Sequence, residues 1–433
     1  MSANALAIII ISLVILLATG VPIAFSIGIA SIVTILSTVP ADVATLTAAQ
    51  RTFVGMSSFT LTAIPFFILA GNLMNEGGIA KRLVDFVMAI LGKLPGALLV
   101  TNVGANALFG AISGSASAAA AAVGSMVKDG ERKQGYDKAV SAAANGSSAP
   151  AGLLIPPSNA LITYSLVSGG TSVAALFLAG YVPGIIWSTA CIIVAIAIAK
   201  KKGYKANEGK FSFGNLGKAT LRALPSLGLI IVVIGGIVAG VFTATEGSAI
   251  SVLYSLILGF VYKNLNVKKV WKIAVDSAKM SAIVVFLIGV SNILSWVMAF
   301  TGIPQMVGHA ILSVSENKFV ILLIMNIILL ISGTFMDVTP AILIFTPLFL
   351  PIATEFGMHP VQFGLMIVYN LCIGNITPPV GNTLFVAIKV GDTSLAKVMP
   401  YMLKFYGAIL IGLLLVTYLP MTSLLLPLKA GLI

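Results

Sequence analysis

Two pairs of adjacent prolines, Pro156–Pro157 in LLIPPSNA (153–160) and Pro378–Pro379 in NITPPVGN (375–382), lie inside long apolar stretches. Proline has no backbone N–H and its ring clashes with the preceding turn, so no straight helix passes through either pair. The composition makes such breaks expensive. Hydrophobic residues make up 58% of the 433 and charged residues only 9%, against roughly 25% charged in a soluble domain. A chain of this kind is a polytopic membrane protein. In hydrocarbon, irregular backbone survives only where protein buries it or where it lines a water-filled cavity. The breaks therefore mark the place where the chain does its work.

Apolar runs at 4–19, 22–38, 55–76, 139–168, 173–199, 223–243, 247–262, 280–300, 362–388 and 401–426 read as full spans, each near the roughly 20 residues a crossing needs. Two longer runs, 95–127 and 319–351, are interrupted at ISGSAS (112–117) and ISGTFMDVTP (331–340) and read as re-entrant hairpins. The formal charge of +12 comes from Lys and Arg clustered between apolar runs, the pattern of cytoplasmic loops rather than of a nucleic-acid surface. Placing 81–93, 128–138, 200–222, 263–279 and 389–404 inside makes the two hairpins enter from opposite sides. The N-terminal MSANALAIIIISLVILLATG lacks a basic start and a cleavage site, so it reads as a first span, not a signal. Cys191 and Cys372 sit in apolar segments, and His309 and His359 lie far apart. Neither metal spacing nor a disulfide framework nor an enzyme motif is present.

The chain also repeats itself. Gly20 in ATGVPIAFSIG falls on Gly240 in VAGVFTATEGS, Asn72 on Asn292, SGS (113–115) on SGT (332–334), and IPPSN (155–159) on TPPVG (377–381), all at offsets of about 220 residues. Each half carries an odd number of full spans, so the second copy is inverted. Inverted repeats with helices broken at the midplane are the architecture of secondary transporters. The expected fold is thus an all-α polytopic membrane protein. Residues 1–199 form the first repeat (hairpin 95–127, broken helix 139–168). Residues 223–433 form the second (hairpin 319–351, broken helix 362–388). The polar segment 200–222 between them reads as a cytoplasmic linker or an amphipathic arm on the membrane surface.

A proline frees the carbonyl four residues before it. That points to Gly152 and Leu153 in the first half, and to Gly374 and Asn375 in the second. Unpaired carbonyls are costly in a low dielectric unless something positive binds them. A hard monovalent cation fits. The candidate sodium ligands are Ser113, Gly114, Ser115, Asn145, Gly146, Gly152 and Pro156 in one cage. In the other they are Gly333, Thr334, Asp337, Gly374, Asn375 and Thr377. Tight helix packing also selects small residues, but packing alone does not explain hydroxyls, glycines and proline pairs together in both copies. Asp337 is a carboxylate at membrane depth and a functional candidate by default. It serves as cation ligand, as substrate contact, or as N-cap to a helix starting near Pro340. Proton relays use chains of Asp, Glu and His; the polar centre has one Asp and no His, so Na+ is the expected coupling ion.

Between the cages, half-helix starts present free N–H groups and positive dipole ends that favour a carboxylate. Ser117, Ser158, Asn159, Thr339, Gly381 and Asn382 are the candidate substrate contacts. Arg51, alone on the outer side, either guides an anion or anchors the interface. The midplane segments contain no Lys or Arg, which favours a monocarboxylate.

IPFFILAGNLMNEGGIAKRL (64–83), FGAISGSASA (109–118), GLLIPPSN (152–159) and GNITPPVGN (374–382) together resemble the large membrane subunit of tripartite ATP-independent periplasmic (TRAP) transporters, and the resemblance covers essentially the whole chain. It implies a bacterial inner-membrane symporter driven by a sodium gradient. It also implies a separate small membrane subunit and a soluble periplasmic substrate-binding protein as partners. The cargo implied is an organic acid, C4-dicarboxylate or sialic acid, with the overall pattern nearer the sialic-acid branch. The implied motion is of the elevator type, hairpins and broken helices sliding as a unit against a scaffold. The alternative is a stand-alone sodium-coupled anion symporter that needs no binding protein.

Overall fold

Short polar side chains write many of the helix starts in this chain. Ser115, Asp137, Ser158, Ser172 and Asn266 each precede a helix and accept a hydrogen bond from a backbone N–H of its first turn. Thr243 and Glu246 form a reciprocal capping box. Such caps satisfy donors that the helix itself leaves orphaned, a need that is acute where no water replaces them. The computed structural model describes residues 2–206, 213–315 and 317–433, and every regular element among them is helical.

Seven of these helices are long and apolar enough to cross a membrane, or eight if one bent pair counts as a single span. Many of the remaining helices are apolar but short, because the chain interrupts them. The first hairpin is Ala97–Ser113 and Ala116–Lys133; the second is Lys318–Phe335 and Val338–Glu355. The first broken helix runs as Lys138–Ser148, Ala151–Leu154 and Asn159–Val167, the second as Pro360–Gly374 and Asn382–Gly391.

Two elements differ from the sequence reading. The run 55–76 is not one straight span: Ala41–Met56 is a helix of its own, and it meets Phe59–Glu76 at a 57° bend. In the second half, a 35-residue helix, Val267–Thr301, continues without interruption through the segment 263–279 read as a loop. Asn266 caps its start, and Trp271 and Val267 remain exposed along its polar portion. Within the linker 200–222, Val173–Lys202 ends and Phe213–Val238 begins; residues 207–212 lie outside the described residues.

The helices sort into two packed bodies. In one, Val267–Thr301 lies against Ile23–Leu36, Ala41–Met56 and Ala63–Glu76, and Ala244–Val261 packs on Ala63–Glu76. In the other, the hairpins and broken helices interdigitate across the repeats. Asn382–Gly391 packs on Lys138–Ser148 and Ala116–Lys133, while Asn159–Val167 packs on Val338–Glu355. Each broken helix thus sends its second piece to the opposite repeat. The basic segments meet in space as well. Lys128 and Arg132 pair with Asp392, and Lys202 pairs with Asp137. The Asn264 amide donates to the Gly77 carbonyl, and Arg82 stacks on Tyr262.

Candidate functional site

Both hairpin tips and both broken helices reach a single cavity of about 410 Å³. The first tip contributes Ser113, Gly114, Ser115 and Ser117, the first broken helix Asn159 and Thr163, the second tip Asp337 and Thr339, and the second break Asn375. The other body closes it with Ile64, Ile68, Asn72, Met280 and Val284. Three helices, Ala116–Lys133, Asn159–Val167 and Val338–Glu355, start at this cavity. Their caps are Ser115, whose Oγ accepts from Ala118 N at 3.3 Å, Ser158, whose Oγ accepts from Leu161 N at 3.4 Å, and Asp337, whose Oδ1 accepts from Val338 N at 3.0 Å. Converging helix starts favour a negatively charged group in the space between them. Among the lining residues Asp337 is the one ionisable side chain, and no Lys, Arg or His is present. The Asn159 Oδ1 is buried at this cavity without a hydrogen-bond partner among the described residues.

Each tip is held by a close crossing of backbones. A Cβ on Gly152 would lie 2.2 Å from Gly110 backbone atoms, and one on Gly374 would lie 2.4 Å from the Gly333 carbonyl carbon. Gly114, at φ +62°, turns the first tip back on itself. Beside each crossing stands a buried amide pair. Asn106 Nδ2 donates to Asn145 Oδ1 at 2.9 Å, with Asn102 Oδ1 and Ser148 Oγ also in reach. In the second half Asn370 Nδ2 donates to Asn326 Oδ1 at 2.8 Å. The same device occurs twice. Of these residues the sequence reading named Asn145 alone as a site candidate; an Asn recurring in each half at the repeat offset was the available signal.

The structure therefore brings together Ser113, Gly114, Ser115, Asp337 and Asn375 from the expected cation ligands, and Ser117, Asn159 and Thr339 from the expected substrate contacts. Others serve elsewhere. Asn145 is braced inside the first hairpin, its Oδ1 taken by Asn106 and its Nδ2 donated to Ala120 O. Gly146 makes room for Leu384 and Ala387, Gly152 for Gly110, and Gly333 and Gly374 for each other. Pro156 is buried away from the cavity. The Thr334 hydroxyl donates to Ile331 O while its carbonyl accepts from Val380 N, and the Thr377 hydroxyl donates to Ile373 O. Ser158 caps Asn159–Val167 and donates to the Leu153 carbonyl. Gly381 and Asn382 lie outside the cavity, and Arg51 stacks over Trp296, 5.8 Å from the ring centroid.

Three of the four carbonyls expected to be bare have donors, the first being Leu153 O, which accepts from the Ser158 hydroxyl. Gly374 O accepts from Thr377 N at 2.9 Å and Asn375 O from Thr383 N at 3.2 Å. Ile376 O accepts from the Tyr406 hydroxyl, and Ser147 O from Trp187 Nε1 at 2.9 Å. Every carbonyl retains a second lone pair, so these groups remain able to ligate, but they are not the empty cage that the prolines alone suggest. The residues that sequence reasoning passed over at the cavity are Asn72, whose Nδ2 donates to Ser277 Oγ at 2.8 Å, and Thr163, bonded to Asn159 O.

Comparison with known proteins gives a consistent result. The family described as the tripartite ATP-independent periplasmic transporter, DctM component, matches residues 10–422. An uncharacterised Salmonella typhimurium protein, YgiK, is 52% identical over 96% of this chain and 95% of its own length. The Rhodobacter capsulatus C4-dicarboxylate TRAP transporter large permease protein DctM is 39% identical over 96% of the chain and 97% of its own. In fold, the crystal structure of the Alcanivorax borkumensis YdaH transporter matches with a TM-score of 0.60 over 85% of this chain and 88% of that one, at 14% identity.

Proposed function

We propose, from the premise that this chain belongs to the family of the DctM component of tripartite ATP-independent periplasmic transporters, that it couples a sodium gradient to the import of an organic anion through the cavity between its hairpins. It is a multi-pass inner-membrane protein, a transport component and not an enzyme, and it works with a small membrane subunit and a periplasmic binding protein. A stand-alone anion symporter is not favoured by that membership.

The observation that carries the coupling proposal is the meeting of three helix starts, one carboxylate and a partnerless amide oxygen at one cavity shared by both repeats. Sodium takes oxygen ligands, and the cavity offers the Asp337 carboxylate, the Asn159 Oδ1 and the Ser113 and Ser115 hydroxyls. No cluster of His, Cys, Asp or Glu suited to a transition metal occurs among the described residues. A bound sodium ion would offset the charge of Asp337, leaving the substrate carboxylate to the positive ends of the helix starts. The starts of Ala116–Lys133 and Asn159–Val167, with Ser117, Thr163 and Thr339, orient the anion. A volume of about 410 Å³ falls within the range of small-molecule sites.

The missing Lys and Arg in the lining favour one carboxylate over two, so a sialic-acid-like monocarboxylate is the first choice. A C4-dicarboxylate, the cargo in the name of the Rhodobacter relative, is the second. The interdigitated hairpins and broken helices form the moving body, and the bundle built on Val267–Thr301 forms the scaffold. The test is uptake of labelled sialic acid and of succinate into proteoliposomes, with and without a sodium gradient, and with and without the small subunit and binding protein. Sodium-driven uptake that needs all components supports the proposal. Uptake by the chain alone, or uptake indifferent to sodium, overturns it.

A further inference from the structure

The end of the first hairpin remote from the cavity holds a carboxyl group that the transport site does not use. Glu131, on the last turn of Ala116–Lys133 and inside the segment 128–138 read as an aqueous loop, is only 3% exposed. It turns inward to a chamber of about 20 Å³, lined with Asn102, Lys128, Arg132, Tyr136, Lys138 and Ser141 and bordered by Gly391. That is room for one water molecule. Glu131 Oε1, the Tyr136 hydroxyl and the Ser141 hydroxyl are all buried and all without a hydrogen-bond partner among the described residues.

No cation lies within ion-pairing distance of Glu131 among the described residues. On its own helix, Lys128 and Arg132 are both drawn to Asp392, at the end of Asn382–Gly391. From the helix that follows, Lys138 lines the chamber but is exposed, and Asp137 is engaged by Lys202 and Tyr401. Tyr204 faces Tyr136. Lys81, Arg82 and Asp85 of the adjoining helix Ile79–Leu91 do not reach the chamber. An ionised carboxylate buried without a counter-ion is disfavoured, and the group neutralises instead.

We propose that Glu131 is a proton-binding site: the buried carboxyl takes a proton from water, holds it in the chamber between the first hairpin and Asn382–Gly391, and returns it to water as the pH rises. The exchange balances as carboxylic acid plus water giving carboxylate plus hydronium. Burial pushes the Glu131 carboxyl up to about 7, against the opposing pull of the Ser141 and Asn102 side chains, so the site exchanges near neutrality. Asn102 also accepts from Asn106, 2.8 Å away, within the amide group that braces the hairpin arm. The charge on Glu131 therefore bears on the packing of the arm Ala97–Ser113, which ends at the first hairpin tip.

The sign of the stability effect follows. The pKa is higher in the folded chain than in the unfolded one, so the folded chain holds an extra proton between the ordinary glutamate range and about pH 7. The stabilisation is complete below that interval and is lost as pH rises through about 7. Thermal unfolding of the full-length protein in detergent, followed from about pH 4 to about pH 8.5 for the native chain and Glu131→Gln, tests it. The glutamine should match the native protein at the acid end, exceed it at the alkaline end, and flatten the profile between. Parallel profiles, or a variant less stable at both ends, overturn the proposal. A second measurement does not depend on the variant folding. The pH-difference infrared spectrum of the native protein should show a protonated carboxyl band that disappears near pH 7; no carboxyl titrating there overturns it equally.

Discussion

Asp337 divides its two oxygens between two tasks. One caps Val338 and the carboxylate as a whole faces the cavity, so charge and cap are separable by substitution. Asp337→Asn keeps an acceptor for the cap and removes the charge. The protein should stay folded while the sodium concentration for half-maximal uptake rises about tenfold, the equivalent of roughly 1.4 kcal/mol; an unchanged sodium dependence would remove Asp337 from the site. Asn106→Leu should act differently. It strips donors from Asn102, Asn145 and Ser148 inside the hairpin, and leaving buried acceptors unpaired costs about 1–3 kcal/mol. A lowered unfolding temperature with sodium affinity preserved is the expected result. At this scale the sequence was informative wherever a polar atom sat beside a break, as with Ser113, Asn159 and Asp337. It failed where the face of a helix decides. Asn145 and Gly146 are near the first break in sequence yet look into the hairpin and toward Leu384. The partners of the broken-helix carbonyls, Tyr406 and Trp187, sit in other helices that no local pattern connects to them.

At the scale of elements, the crossings at Gly110–Gly152 and Gly333–Gly374 place each tip against its broken helix. Gly152→Ala and Gly374→Ala each set a methyl group against backbone that has no side chain to move aside. Overpacking of this kind costs about 1–3 kcal/mol, and displaced tips should reduce uptake more than they reduce expression. Gly235→Ala, with nothing within 4 Å of the new atom, is the control and should transport normally. Replacing Pro378 and Pro379 by Ala restores the missing donors and should heal the helix, with loss of uptake; normal uptake would mean the break is dispensable. The breaks themselves were legible because proline pairs and SGS or SGT runs interrupt apolar sequence. The 57° bend near Ser57 was not, since no proline marks it. The extension of Val267–Thr301 was hidden by its lysines, which read as loop although they decorate a continuous helix.

For the whole molecule, the two packed bodies predict relative motion between them. Ala70 on the scaffold and Ile112 on the first hairpin line the same small cavity. A cysteine pair at these positions, joined by oxidation, should halt uptake, and a reductant should restore it; Cys191 and Cys372 are both buried and free, so the engineered pair reacts separately. Unimpaired uptake in the cross-linked protein would exclude sliding at this boundary. The interdigitation of the hairpins and broken helices has another consequence, during biosynthesis. Lys138–Ser148 leaves the ribosome about 240 residues before its packing partner Asn382–Gly391 is complete, an interval of roughly 12 to 50 s at ordinary rates of synthesis. For that time a helix rich in Ser and Asn waits at membrane depth with one side uncovered. The nascent first repeat is therefore an obligate client, to be held by the insertion machinery or by its own hairpin until the last third of the message has been read.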